Sequence, residues 1–208
     1  MPYRLVIFDF DGTLADSGRW TIGVMNQLAR RHGFRELSDE EIAMLRGRSN
    51  REIVRYMRVP GWKMPAIAAD FRRRMAAEAE KIALFEGVPE LLRSLKGAGL
   101  KVALVTSNSE ENARRILGPE AAAHIDDFDC GASLFGKARK FRKLMTRHGV
   151  APGETLCIGD ETRDIEAAKA VGAASGAVQW GYATPEVLAR FTPTLTFSSP
   201  AEIARALS

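Results

Sequence analysis

Residues 3–8, 101–106, 154–158 and 173–178 form short, nearly continuous apolar runs: "YRLVIF", "KVALVT", "ETLCI" and "AASGAV". A strand with one wet face alternates apolar and polar side chains. These runs do not alternate, so each needs cover on both faces. Helical patterns near 87–97, 109–118, 137–148 and 161–171 separate the later runs. Strand and helix in alternation predict parallel strands joined by right-handed crossovers. The expected fold is α/β, a Rossmann-like, three-layer parallel-sheet core. Weaker signals at 121–130 and 194–197 would add further strands.

The segment 16–85 carries no strand pattern and reads as helices throughout. "SDEE" at Ser38 is a capping-box start. Ser49 is expected to open another helix, and Met64-Pro65 a long one. The expected organisation is therefore a core of residues 1–15 and 86–208, with 16–85 inserted as an all-helical cap domain. In an open parallel sheet, sites form beyond the carboxyl ends of the strands. An insertion leaving from that end of the first strand should sit over such a site.

A chain of 208 residues, 46% of them apolar, can bury this core without disulfides. Its two cysteines, Cys130 and Cys157, make no paired framework, and a reducing compartment is expected. No apolar run is long enough for a signal peptide or a bilayer span, so a cytoplasmic protein with no membrane partner is expected. The net charge is +4. From Asp16 to Lys81 there are fourteen Lys and Arg against nine Asp and Glu, so the excess belongs to the helical insertion. A basic regulatory protein binding nucleic acid through Arg72–Arg74 and the 137–147 run is one reading of that charge. Those clusters lack interleaved aromatics, and no nucleic-acid partner is expected.

"LVIFDFDGTLADS" carries the chemistry. Side chains alternate along an extended chain, so Asp9 and Asp11 point the same way at the end of a buried strand. Two adjacent anions there are costly unless a positive group compensates them. A hard divalent cation does so, and Mg²⁺ prefers one or two carboxylates with phosphate and water oxygens. A second acidic group, Asp160, Glu161 and Asp164 in "CIGDETRD", follows another apolar strand. On its own that group reads as a helix start, with Asp160 as N-cap and the other two facing the dipole. "VTSNS" ends a third strand, with Ser109 as an N-cap and Ser107 and Asn108 left as neutral donors. In "GKARKFRKLMTRHG", at ~100° per residue, Lys137 lies about 40° from Phe141, inside the stripe of Leu144, Met145 and His148. Arg139, Arg142 and Lys143 fall on the solvent side, and Lys140 is marginal. A lysine turned inward at a helix start needs anions nearby. His148 reads as a packed histidine.

Carboxylates, hydroxyl and amide donors, a lysine and more carboxylates thus arrive in order, each at a strand end or helix start. This resembles the haloacid dehalogenase superfamily of phosphatases and phosphotransferases, closely at "DFDGTLADS", well at "VTSNS" and "GDETRD", and more loosely at Lys137, which Ala138 follows where proline is common. The resemblance implies a small helical cap over the core. It implies Asp9 as nucleophile toward phosphorus and Asp11 as general acid and base. It implies Mg²⁺ held by Asp9, the Asp11 backbone carbonyl and Asp160, with Asp164 or Glu161 in support. Ser107 and Lys137, with Asn108 beside them, would hold phosphoryl oxygens. Among the cap arginines, Arg46 or Arg48 is expected to face the cleft and bind the anionic part of a small phosphorylated metabolite. Gly12, Gly18 and the 82–88 stretch would be the hinges. The likeness is greatest to phosphoglycolate phosphatases. A phosphosugar mutase resembling β-phosphoglucomutase is the alternative, and product identity separates the two.

Overall fold

The computed structural model describes residues 3–45, 48, 50–131 and 136–207. Six strands make one parallel sheet: β1 (Leu5–Asp9), β2 (Lys101–Val105), β3 (Asp127–Asp129), β4 (Thr155–Gly159), β5 (Ala174–Val178) and β6 (Leu195–Phe197). Their order is β3-β2-β1-β4-β5-β6. The chain runs outward from β1 to β3, then returns to the other side of β1 for β4. That reversal opens a crevice at the carboxyl ends of β1 and β4, the place where ligands collect in open α/β sheets.

All five residues of β1 are buried, as a strand covered on both faces requires. Val6 and Phe8 pack into a core with α5 (Val88–Gly97), α6 (Glu110–Ala122) and α10 (Pro200–Leu207). Leu5 and Ile7 join the opposite core, with Phe141, Leu144 and Met145 of α7 (Gly136–His148) and Ala167 and Ala168 of α8 (Thr162–Ala170). The period of two then puts Asp9, next in the odd series, on the α7 side. Phe8 and Phe10 are fully buried. Each contributes about 1.5–3 kcal/mol by leaving water, and together they fix the backbone that carries Asp9 and Asp11. A short α9 (Pro185–Ala189) covers β5 through Ile165, Ala177 and Leu188.

The 121–130 stretch is mostly not a strand. Gly118 has φ 71° and ψ 167°, which breaks the helix, and Pro119 restarts it; Ala121 and Ala122 are buried on that second turn. Only Asp127–Asp129 remain to pair with Ala103–Val105. At 194–197 the expected strand is β6, paired with β5.

Between β1 and α5 lie α1 (Gly18–His32), α2 (Asp39–Leu45), α3 (Asn50–Tyr56) and α4 (Met64–Glu78). Ser38 starts α2 as its capping box demands: its hydroxyl accepts from Glu41 N at 3.3 Å, and the Glu41 carboxylate accepts from Ser38 N at 3.0 Å. The expected start at Ser49 lies outside the described residues. Val24, Leu28 and Ile67 form a small core with Trp20 and Phe71 around them. Asp70 of α4, 2% exposed, accepts Arg73 at 2.8 Å and sits 3.1 Å from Arg31 and 3.2 Å from His32, which binds α4 to α1. Two chain passages join this helical segment to the sheet, and they pair with each other. Asp16 N donates to Ala83 O at 2.9 Å, and Phe85 N donates to Leu14 O at 3.0 Å.

Candidate active site

Asp9 ends β1, and the chain then folds back tightly: Leu14 N and Ala15 N both donate to Phe10 O at 2.9 Å. Gly12 makes this turn possible with φ +80°. It also leaves room for neighbours, since a Cβ there would lie 2.8 Å from the Tyr182 ring and against the Asp160 carboxylate. Gly12→Ala is therefore expected to destabilise the protein by roughly 1–3 kcal/mol, through φ strain and overpacking together. Thermal unfolding checks this; an unchanged Tm contradicts it.

The turn brings Asp9 to the acids that follow β4. One oxygen from each of Asp9, Asp160 and Asp164 falls within 4.8 Å of the others, and all three residues are buried. Lys137 enters from the first turn of α7. Its Nζ lies 2.5 Å from Asp9 Oδ2 and also pairs with Asp164. The contact with Asp9 is an ion pair without hydrogen-bond geometry, so Asp9 Oδ2 is buried with no hydrogen bond. Burial opposes charge on Lys137, yet Asp164 and Asp9 hold its ammonium above the ordinary lysine range. Burial, then Asp9 and Asp164, drives the Asp160 carboxyl well above its ordinary value. Burial likewise raises Asp164 against the pull of Lys137. One ammonium among three buried carboxylates leaves an excess of negative charge. With a hydrogen-bond-free oxygen at its centre and an all-oxygen donor set, the cluster fits a hard divalent cation.

Asp160 is not the N-cap of α8. That helix opens at Thr162 with Glu161 in the cap position, and Asp164 accepts from Glu161 N at 3.0 Å. Asp160 instead accepts from Thr13 Oγ1 at 2.9 Å and from Tyr182 N at 2.8 Å, two bonds that aim it back toward Asp9. The Glu161 side chain pairs with Arg163 at 2.6 Å. Asp11 stands apart from the three clustered acids. Its oxygens accept from Ser17 Oγ at 2.8 Å and Thr106 Oγ1 at 3.3 Å. Burial pushes its carboxyl up, the Ser17 bond opposes this, and the Asp9 charge adds to the rise.

At the end of β2, Ser109 caps α6 by accepting from Asn112 N at 3.2 Å. Ser107 is exposed. Asn108 Oδ1 accepts from Ser109 N and from Asn112 Nδ2, and its own Nδ2 is buried without a partner. Arg48 is exposed and pairs with Glu52 at 3.4 Å; Arg46 lies outside the described residues. His148, eleven residues and so ~16 Å along α7 from Lys137, sits 3.3 Å from Asp127.

Lys140, marginal by periodicity, is buried. Its Nζ donates to Thr106 O at 2.8 Å, Asp129 O at 2.9 Å and Gly131 O at 2.6 Å, tying together the ends of β2 and β3. Thr13, Ser17, Thr106 and Tyr182 were likewise not singled out by sequence. The first three stand inside the motifs already read; Tyr182 stands in none.

A switch-point crevice that gathers three carboxylates, an ammonium and hydroxyl donors marks an α/β enzyme whose site handles an anionic group. The haloacid dehalogenase-like hydrolase model matches residues 6–178, and the chain belongs to that family. The phosphoglycolate phosphatase of Synechococcus elongatus is 30% identical over 206 residues, 99% of this chain and 97% of that protein. The tyrosine-protein kinase PtkA of Mycobacterium tuberculosis is 29% identical over 92% of this chain and 67% of its own. Among solved structures, a haloacid dehalogenase-like family hydrolase from Streptococcus pneumoniae aligns with a TM-score of 0.86. It covers 100% of this chain and 99% of its own at 18% identity, a likeness of fold. The family read from "DFDGTLADS", "VTSNS" and "GDETRD" is thus borne out. Among the described residues, no helix is long and apolar enough to cross a membrane.

Proposed function

We propose that this enzyme hydrolyses a small phosphomonoester resembling phosphoglycolate, by way of an aspartyl-phosphate on Asp9. The observation that carries this reading is the Asp9 carboxylate, paired with Lys137 at 2.5 Å, while Asp11, two residues on, is held by its own donors. The similarity to phosphoglycolate phosphatases over nearly the whole chain supports the substrate class.

In this reading an Asp9 oxygen attacks phosphorus and the bond to the leaving oxygen breaks. The electron pair goes to that oxygen, which takes a proton from the Asp11 carboxyl. Water then attacks phosphorus, gives a proton to the Asp11 carboxylate, and displaces Asp9 as a free carboxylate beside inorganic phosphate. Lys137 holds a phosphoryl oxygen through both displacements, with Ser107 and Asn108 Nδ2 on the remaining oxygens. Asp9, Asp160, Asp164 and the Asp11 carbonyl would hold Mg²⁺, which when bound offsets charge on the transferring phosphoryl group. Glu161, engaged with Arg163, supports that set from the helix start. The helical segment 16–85 serves as the cap, with Arg46 or Arg48 meeting the substrate's second anionic group.

A panel of phosphorylated metabolites, phosphoglycolate among them, tests this by phosphate release with and without chelator. Chelation is expected to lower the rate at least ~10²-fold, with recovery on added Mg²⁺. Mg²⁺ should also raise the Tm, because it binds the folded cluster. Phosphate release that chelation leaves unchanged, or release from no member of the panel, overturns the reading. Appearance of phosphate on a sugar or protein acceptor in place of water would move the chain toward the transferases that PtkA exemplifies.

A further inference from the structure

Tyr182 lies on the loop after β5, 165 positions from Ser17, yet its hydroxyl is 2.9 Å from Ser17 Oγ. Ser17 is fully buried and donates to Asp11 Oδ1 at 2.8 Å. A serine hydroxyl has one proton. Since that proton is committed to Asp11, Tyr182 is the donor to Ser17. The order is therefore Tyr182 to Ser17 to Asp11, each group a donor to the next.

The ring itself is wedged. It passes over Gly12, and a Cβ on Gly18 would come within 3.1 Å of it. The Tyr182 main-chain N–H simultaneously donates to Asp160. One residue thus sets the Asp160 carboxylate with its backbone and is linked to the Asp11 carboxyl through Ser17 with its side chain.

We propose that Tyr182 is a positioning residue for proton transfer: through Ser17 it aims the Asp11 carboxyl at the oxygen leaving phosphorus. This rests on the phosphatase reading above. Without the tyrosine bond the Ser17 hydroxyl loses the donor that orients it, and its bond to Asp11 is held less firmly beside the longer one from Thr106.

The test uses kcat/KM, which covers the steps through departure of the alcohol. It is measured on monoesters ranging from para-nitrophenyl phosphate, whose alcohol leaves without help, to alkyl phosphates, whose alkoxide needs a proton. Tyr182→Phe keeps the ring and removes only the hydroxyl. It is expected to lose roughly 10-fold on alkyl esters and less than about 2-fold on the para-nitrophenyl ester, with KM and Tm little changed. Ser17→Ala should show the same dependence more strongly, and the double variant should match Ser17→Ala alone, since the tyrosine acts through the serine. An equal loss on every ester, no loss on any, or additive losses in the double variant overturns the proposal. Asp11→Asn, run in the same series, separates the two levels. If Asp11→Asn has the parent's leaving-group dependence, the acid–base reading of Asp11 falls and takes this inference with it. If Asp11→Asn is steep while Tyr182→Phe matches the parent, this inference alone falls.

Discussion

Asp9→Asn is expected to lose phosphate release by about 10⁴-fold or more and to accumulate no phosphoenzyme. The amide has nearly the shape of the carboxylate, so the packing around β1 survives, but its oxygen is a far weaker nucleophile. The fold should tolerate the change. Asp9 contributes to the upward drift of the Asp160 and Asp164 carboxyls, and removing its charge relieves both. Lys137 keeps its second partner, Asp164. Stability is therefore expected to stay within about 1 kcal/mol of the parent, the loss of one attraction offset by the loss of two repulsions. Rapid quench with radiolabelled substrate measures the phosphoenzyme, and thermal unfolding in chelator measures the fold. An Asp9→Asn variant that turns over phosphomonoesters at the parent's rate would remove the covalent mechanism.

Lys137→Ala is expected to damage both stability and rate. Its ammonium is the one positive side chain paired with Asp9 and Asp164 among the described residues, and all three groups are buried or nearly so. Truncation leaves neighbouring carboxylates without their counter-ion. Breaking a buried pair from one side costs about 3–5 kcal/mol, a fall in Tm of roughly 10 °C for a chain of this size. Loss of a fixed phosphoryl donor should separately lower kcat by about 10²–10³-fold. The two effects part on addition of Mg²⁺, which supplies charge to the cluster and restores Tm more fully than rate. Unfolding measured in chelator and in Mg²⁺, alongside kcat, checks this. A Lys137→Ala protein with the parent's Tm in chelator would show that the carboxylates do not depend on the lysine.

Tyr182 and Lys137 mark the two ends of what could be read in advance. Lys137 was legible because helical periodicity is local: 100° per residue put it on the stripe of Phe141 and Leu144 without knowledge of any other element. The helix start offered no reason for a buried cation, so anions were expected nearby. Asp9 was legible for the same kind of reason, through the period of two along a strand, whereas Asp11 lies past the end of β1 in the turn, where that period no longer applies. Tyr182 had no such signal. Its neighbours give it no special spacing, and its hydroxyl acquires meaning only because β5 lies next to β4, whose end lies next to Asp9.

Asp160 shows the same limit from the other side. Its position before a helix made an N-cap the natural local reading. Thr13, 147 positions away, offers it a buried hydroxyl instead, and Glu161 takes the cap. Likewise the break at Gly118-Pro119 shortened a strand that the apolar pattern of 121–130 had suggested, since burial without alternation does not distinguish strand from helix over so few residues.

By itself, then, the amino-acid order determined the layered α/β core, the helical character of the inserted segment, and which faces carry Asp9 and Lys137, because these follow from backbone periods that act over a few residues. Only the tertiary structure decided which groups meet: Asp9 with Asp164 across Lys137, Thr13 with Asp160, Tyr182 with Ser17. Those pairings depend on the order of strands in the sheet, and strand order is set by long-range packing that no local period encodes.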